Sequence, residues 1–121
     1  MHYNFVKYKG KYLRGDNKIS IQKSGLVRLS SGFCRITNAM NYKYSVLFFD
    51  SSKRAIAFKF TNEREEGALK VTKDRNAATI SAKSFMSANH LSSRSYFRRY
   101  DWVKQNISEI GEVFIIELDK K

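Results

Sequence analysis

Apolar and polar side chains alternate along several short stretches of the chain, and turn residues separate these stretches. In residues 18–29, KISIQKSGLVRL, Ile19 and Ile21 fall on one side of an extended strand and the polar residues between them fall on the other. Gly25 lies where the alternation breaks, and glycine readily adopts the positive φ that tight turns need. The pattern predicts a β-hairpin with one buried face.

A short helix is expected after this hairpin. Either Ser30 or Ser31 can cap a helix over residues 32–40, because a serine hydroxyl accepts a hydrogen bond from a free backbone N–H. Three apolar residues at helical spacing are expected to face the core: Phe33, Ile36 and Met40.

A second hairpin is predicted over residues 42–60. Its two runs, YKYSVLFFD and KRAIAFKF, are rich in β-branched and aromatic residues, and Asp50 begins the turn between them. Alternation places Ile56 and Phe58 on one face of the second strand, and Lys53 and Lys59 on the other.

The same order of elements returns after a polar break at residues 61–67. A hairpin turning at residues 74–76, a helix capped by Ser81, a strand over residues 95–103 and a last apolar strand are expected. At an offset of 51 positions, Leu29 lies over Ile80 and Asp50 over Asp101.

The predicted fold is therefore α+β, mostly antiparallel β with two short helices, in a single domain over residues 1–121. Its two hairpin–helix–hairpin halves, residues 18–62 and 68–118, are expected to be similar enough to form a pseudo-dimer. A basic aromatic arm, residues 1–17, precedes them.

Charge is the strongest compositional signal. The formal net charge is +12, and residues 1–62 carry 12 Lys and Arg against two acids, whereas residues 63–121 carry 11 against nine. A field concentrated in one half favours a polyanion such as nucleic acid as partner. Cys34 is the single cysteine, which excludes an internal disulfide and suits the cytoplasm. The sequence shows neither an apolar leader nor a run of 18 apolar residues, so we expect neither secretion nor a membrane partner.

The residues of known enzyme classes are missing from the sequence. There are only two histidines, His2 and His90, no nucleophile–base pair or acid pair converges in the sequence, and the six glycines are scattered. One cysteine with no nearby histidine makes no zinc motif. We therefore expect no enzyme, no catalytic residue, no cofactor and no metal site.

Residues 18–60, KISIQKSGLVRLSSGFCRITNAMNYKYSVLFFDSSKRAIAFKF, resemble the swapped-hairpin, AbrB/MazE-like DNA-binding regulators. Lys23, Gly25 and Arg28 match that family's basic strand–turn segment, and Arg35 falls on the helical stretch where an arginine is common. The chain departs from the family at residues 30–31, where Ser-Ser replaces the usual Pro, and at residues 41–42, where Asn-Tyr replaces Gly-Asp. The resemblance implies a regulator that binds duplex DNA, as a dimer or, with two halves, as a monomer.

Seven basic residues are the candidate contacts to nucleic acid: Lys18, Lys23, Arg28, Arg35, Lys43, Lys53 and Lys59. Strand alternation puts four further residues on one face, and these either stack bases of a single strand or form an aromatic core face: Tyr96, Arg98, Tyr100 and Trp102. Three alternatives stay open: a single-stranded nucleic-acid binder, a phage-type accessory module that binds an acidic protein, and an enzyme with an unrecognised site.

Overall fold

The structure is a computed structural model, and it describes Phe5 and residues 17–119. Apart from Phe5 and Asn17, the predicted N-terminal arm lies outside the described residues. No helix in the described part of the chain is long and apolar enough to cross a membrane.

Nine strands, all paired antiparallel, are the main regular structure of the described chain, which confirms the predicted α+β class with antiparallel pairing. The strands are β1 (Ile19–Ile21), β2 (Leu26–Leu29), β3 (Tyr44–Asp50), β4 (Ala55–Thr61), β5 (Leu69–Asp74), β6 (Ala77–Ser81), β7 (Arg98–Tyr100), β8 (Val103–Ile107) and β9 (Gly111–Glu117).

Three short α-helices, rather than the two predicted, occur in the described residues: α1 (Ser31–Thr37), α2 (Lys83–Ala88) and α3 (Ser93–Tyr96). Ser30 caps α1, since its hydroxyl accepts from Phe33 N at 3.2 Å. The helix ends early, at the left-handed Asn38, and a 3₁₀ turn (Ala39–Asn41) continues the chain. The predicted Ser81 cap of α2 is wrong, because Ser81 ends β6 and Ala82 precedes the helix with no side-chain cap.

The strands lie in the order β7-β1-β2-β6-β5-β3-β4-β9-β8. The two strands at the ends of this order, β7 and β8, are consecutive in the chain and are separated only by Asp101 and Trp102. The sheet therefore curls enough for two residues to connect the end of β7 to the start of β8. Four pairings, β1 with β7, β2 with β6, β3 with β5 and β4 with β9, join the first half of the chain to the second.

Turn chemistry explains the hairpins. Gly25 has φ +89°, a left-handed conformation that closes the β1–β2 turn. In the β3–β4 turn, the Asp50 carboxylate accepts from the Ser52 and Lys53 backbone N–H groups at 3.0 and 3.1 Å. These bonds stabilise the carboxylate, so the pKa of Asp50 lies below its ordinary value, chiefly through the Ser52 side-chain hydroxyl.

The inward faces of the strands form one core around an aromatic cluster. The Phe33 ring lies 5.1 Å from Trp102 and 5.4 Å from Phe114, both edge to face. Phe58 and Ile56 are buried as predicted. Fully buried strand residues extend this core: Ile19, Leu29, Ile80 and Ile116.

Ile36 corrects the helix-face prediction, because it is 57 % exposed. Gly32, Phe33 and Cys34 are the buried residues of α1, and the helix turns Ile36 to the exposed side beside Arg35. The Thr37 hydroxyl donates to Phe33 O at 2.7 Å.

Candidate nucleic-acid interface

The turn of the β1–β2 hairpin is held against the two helices of the second half. Ser93 Oγ donates to Lys23 O at 2.6 Å, and Ala82 N donates to Gly25 O at 3.1 Å. A Cβ on Gly25 would lie 3.1 Å from Lys83 Cβ, so the turn packs directly on the start of α2. These contacts fix where the Lys23 side chain begins.

Helix α3 is also held from its other side. The Arg54 guanidinium donates to the Tyr96 hydroxyl and lies 5.4 Å from the Tyr96 ring centroid. It forms an ion pair with Asp119 at 3.6 Å. The Tyr100 hydroxyl donates to Tyr96 O at 2.6 Å, which ties α3 to β7. Tyr96, the last residue of α3, is therefore held by Arg54 from the β3–β4 turn and by Tyr100 from β7.

Three cations surround the hairpin turn without a carboxylate partner. Lys23, Lys83 and Arg94 are exposed, and among the described residues no carboxylate oxygen lies within ion-pair distance of them. Phe97 joins this group, since its ring lies 4.6 Å from Lys23 Nζ and is 46 % exposed as a residue. We call these four residues the hairpin-tip surface.

Further cations continue from this surface along the outer side of the sheet. Arg99 on β7, Ser20 on β1 and Arg28 on β2 are register partners in one row. Val27 and Leu29, which flank Arg28, are buried, so Arg28 points outward. The row places one arginine on each side of β1, near the hairpin turn.

Two aspartates partly neutralise the cations of the first hairpin. Lys18 forms an ion pair with Asp101, and Arg28 Nη1 lies 4.0 Å from Asp74 Oδ2. Both pairs are exposed to solvent, so each contributes little to stability. The lysine and the arginine can therefore leave their aspartates and bind another anion. Lys18, Lys23 and Arg28 are thus brought together around the first hairpin.

The other four predicted contacts lie elsewhere. Arg35 is exposed on α1, and Lys43, Lys53 and Lys59 belong to the β3–β4 hairpin. In the sheet order, β2, β6, β5 and β3 separate β1 from β4. Lys53 lies in the turn before β4, and Lys59 lies on β4. The strand order therefore does not place them beside the first hairpin.

The predicted aromatic face at residues 96–102 also needs correction. Tyr96 ends a helix and is not part of a strand, so the alternation does not start there. Tyr100 is 3 % exposed, and burial raises its pKa. Trp102 packs edge to face on Phe114 at 5.5 Å. Arg98 donates to Leu118 O, and its guanidinium lies 4.8 Å from the Tyr100 ring. The core alternative describes these residues better than a stacking surface.

Three residues of the interface were missed by the sequence prediction: Lys83, Arg94 and Phe97. A signal for Phe97 was present, because alternation puts Phe97 and Arg99 on the face opposite to Tyr100. No local pattern could show that Lys83, and Ser93 next to Arg94, contact the distant hairpin turn at residues 23–25. Contacts between α2, α3 and the first hairpin depend on the tertiary fold.

Other reactive groups do not assemble into a site in the described part of the chain. Cys34 is buried, and desolvation raises the pKa of its thiol to about 11. No group of three or more His, Cys, Asp and Glu residues between residues 17 and 119 could hold a metal ion. A shallow cleft near β7 has a lining of mixed sign, with Arg98 and Arg99 beside Asp101 and Glu117. Its charges favour a polyanion less than the hairpin-tip surface does.

Comparison with known proteins adds no relative. No family model, no curated protein and no solved structure matches the chain.

Proposed function

We propose that this protein is a non-enzymatic nucleic-acid-binding protein that binds through the hairpin-tip surface and the adjoining row on β7, β1 and β2. The observation that carries the proposal is the group of three exposed cations, Lys23, Lys83 and Arg94, that have no carboxylate partner in the described structure. Unpaired cations on one surface attract phosphates, and phosphate binding releases the counterions that nucleic acids condense. The net charge of +12 adds long-range attraction.

Duplex DNA is the proposed partner, and regulation in the cytoplasm is the proposed role. This part of the proposal rests on the resemblance of residues 18–60 to AbrB/MazE-like regulators, whose basic strand–turn segment corresponds to Lys23, Gly25 and Arg28. Lys23 and Arg28 belong to the basic side of the first hairpin, which is consistent with contacts to neighbouring phosphates.

The two halves are proposed to be similar units related as a pseudo-dimer. Arg28 pairs with Thr79, which lies 51 positions later, and this pairing makes the two equivalent positions direct neighbours. An axis between two copies requires such a self-equivalent pair. The exchange of halves also carries β1 onto β5 and β7 onto β3, and these two strands are paired as well, although in a different register. Two interleaved hairpin units would explain both relations.

Charge reversal tests the proposed site. The double variant K23E/R94E should weaken binding to a short blunt DNA duplex, and it should reduce the slope of log K against log salt by about two, since about 0.9 counterion is released per phosphate neutralised. Fluorescence anisotropy with labelled duplex, from about 50 to about 200 mM salt, measures both quantities. A thermal melt checks that the variant is folded.

K43E/K53E is the matched control, because it changes the net charge equally at two exposed lysines of the β3–β4 hairpin. It should bind nearly as the parent protein does. Equal losses in both variants would mean that overall charge, and not this surface, governs binding. Absence of salt-dependent binding to any nucleic acid, with no nucleic acid in the purified protein by ultraviolet absorbance, would reject the proposal and favour an acidic partner protein.

A further inference from the structure

Phe97 is a large apolar residue at the surface of a segment whose other aromatic residues are covered. It is 46 % exposed, whereas Tyr100 is 3 % exposed and Tyr96 is half-buried. Phe97 lies between α3 and β7 in an extended conformation, with φ −70° and ψ 115°. The hydrogen bonds that hold α3 and β7 in place are made by Tyr96 and Tyr100. The Phe97 ring is therefore not needed for the core.

The partner of the exposed ring is a cation rather than another apolar side chain. Lys23 Nζ lies 4.6 Å from the ring centroid, a cation–π distance. Ser93, four residues before Phe97, donates a hydrogen bond to the Lys23 carbonyl oxygen. This bond fixes the hairpin turn relative to the segment that carries the ring. The arrangement keeps the ammonium group over one face of the ring.

We propose that Phe97 is a stacking platform for an unpaired base, and that Lys23 and Arg94 bind the phosphates next to that base. This inference rests on the proposed function and adds a second ligand class to duplex DNA at the same surface: nucleic acid with a single-stranded segment. Exposed aromatic rings within a basic surface are the shared feature of proteins that bind single strands, because every base offers a flat face. Bases inside an intact duplex are already stacked on both faces, so they cannot use the ring.

The charges near Phe97 suit a strand that crosses the ring. Lys23 and Arg94 have no carboxylate partner among the described residues, so neither must break an ion pair when it binds a phosphate. Arg99 is exposed two residues after Phe97 on the outer side of β7. A strand stacked on Phe97 would therefore find one arginine shortly before Phe97 in the chain and one shortly after it.

The test compares single-stranded DNA with a blunt duplex of the same length by fluorescence anisotropy. Phe97→Leu removes the aromatic face, retains an apolar side chain and changes no charge. It should weaken single-strand binding about tenfold, within the range of one lost stacked base, and change duplex binding less than about twofold. The salt slope should stay the same, and Phe97→Trp should restore binding.

Val103→Ala is the matched control, since Val103 is 57 % exposed and lies on β8. It should bind both DNAs as the parent protein does. A folded Phe97→Leu protein with unchanged single-strand affinity, or an equal loss in Val103→Ala, would overturn the stacking inference while leaving phosphate binding intact. If the parent protein binds neither DNA, the proposed function itself fails, so the two failures are distinguishable.

Discussion

Ser30 and Ser45 are both buried, yet their hydroxyls have opposite surroundings. Ser30 Oγ accepts a hydrogen bond from Phe33 N at 3.2 Å. Ser45, on β3, is 0 % exposed, and its Oγ has no hydrogen-bond partner among the described residues. A buried hydroxyl without a partner has lost its bonds to water and gained nothing in return.

The same substitution should therefore have opposite effects at the two serines. Ser45→Ala is expected to raise the free energy of unfolding by about 1 kcal/mol, because it removes an unsatisfied polar atom. Ser30→Ala is expected to lower it by about 1 kcal/mol, because α1 loses its cap. Urea unfolding of both variants measures the difference. Destabilisation by Ser45→Ala would indicate that the hydroxyl has a partner in solution.

Residue positions were predictable where one face of one element decides burial. Alternation correctly buried Ile56 and Phe58, since a strand has only two faces. Helical spacing failed for Ile36, because the direction of the buried side of a seven-residue helix depends on the strand that the helix packs against. For Phe97, periodicity defined two faces but could not show which one meets the core.

Among the elements, the β1–β2 hairpin connects the fold to the candidate site. Its turn was predicted from Gly25, because glycine supplies positive φ. Its docking on α2 was not predictable, since Lys83 lies far from Gly25 in the chain. The strand predicted over residues 95–103 is instead α3, β7 and a break before β8, since the chain there passes from one edge of the sheet to the other.

A comparison of alanine substitutions at two glycines can separate the cost of backbone strain from the cost of disturbing the contact between the β1–β2 turn and α2. Gly25 and Gly67 both have positive φ, +89° and +79°, but only Gly25 has neighbours in the way of a Cβ. Gly67→Ala should lower the free energy of unfolding by about 1 kcal/mol through backbone strain alone. Gly25→Ala should cost about 1 kcal/mol more, because Lys83 must shift.

Chemical denaturation of the two glycine variants supplies the comparison. Equal losses would mean that the turn does not press on α2 in solution. Because the shift moves the turn that carries Lys23, Gly25→Ala should also weaken duplex binding, whereas Gly67→Ala should leave it unchanged.

For the whole molecule, the dominant feature is the interleaving of the two halves. The pairings of β1 with β7, β2 with β6, β3 with β5 and β4 with β9 all cross the polar break at residues 61–67. Each half alone would keep its hairpins but lose the strands beside them. Isolated hairpins are at best marginally stable in water.

Division of the chain in the break should therefore leave two unstable fragments. Residues 1–64 and 65–121 are each expected to lack a cooperative thermal transition as monomers. An equimolar mixture should regain the sheet, with a midpoint that rises with concentration. Circular dichroism melts of each fragment and of the mixture provide the measurement, and a cooperative monomeric melt of either fragment would contradict the interleaving.

The pairing of β1 with β7 also bears on how the protein emerges from the ribosome. Lys18 and Asp101, which pair beside these strands, are 83 positions apart. At a synthesis rate of about 5–20 residues per second, the first hairpin waits several seconds for its neighbour. During that time its outer edge is a template for pairing with other chains. A strand of three residues, with Lys18 directly before it, offers such contacts little length and a repelling charge.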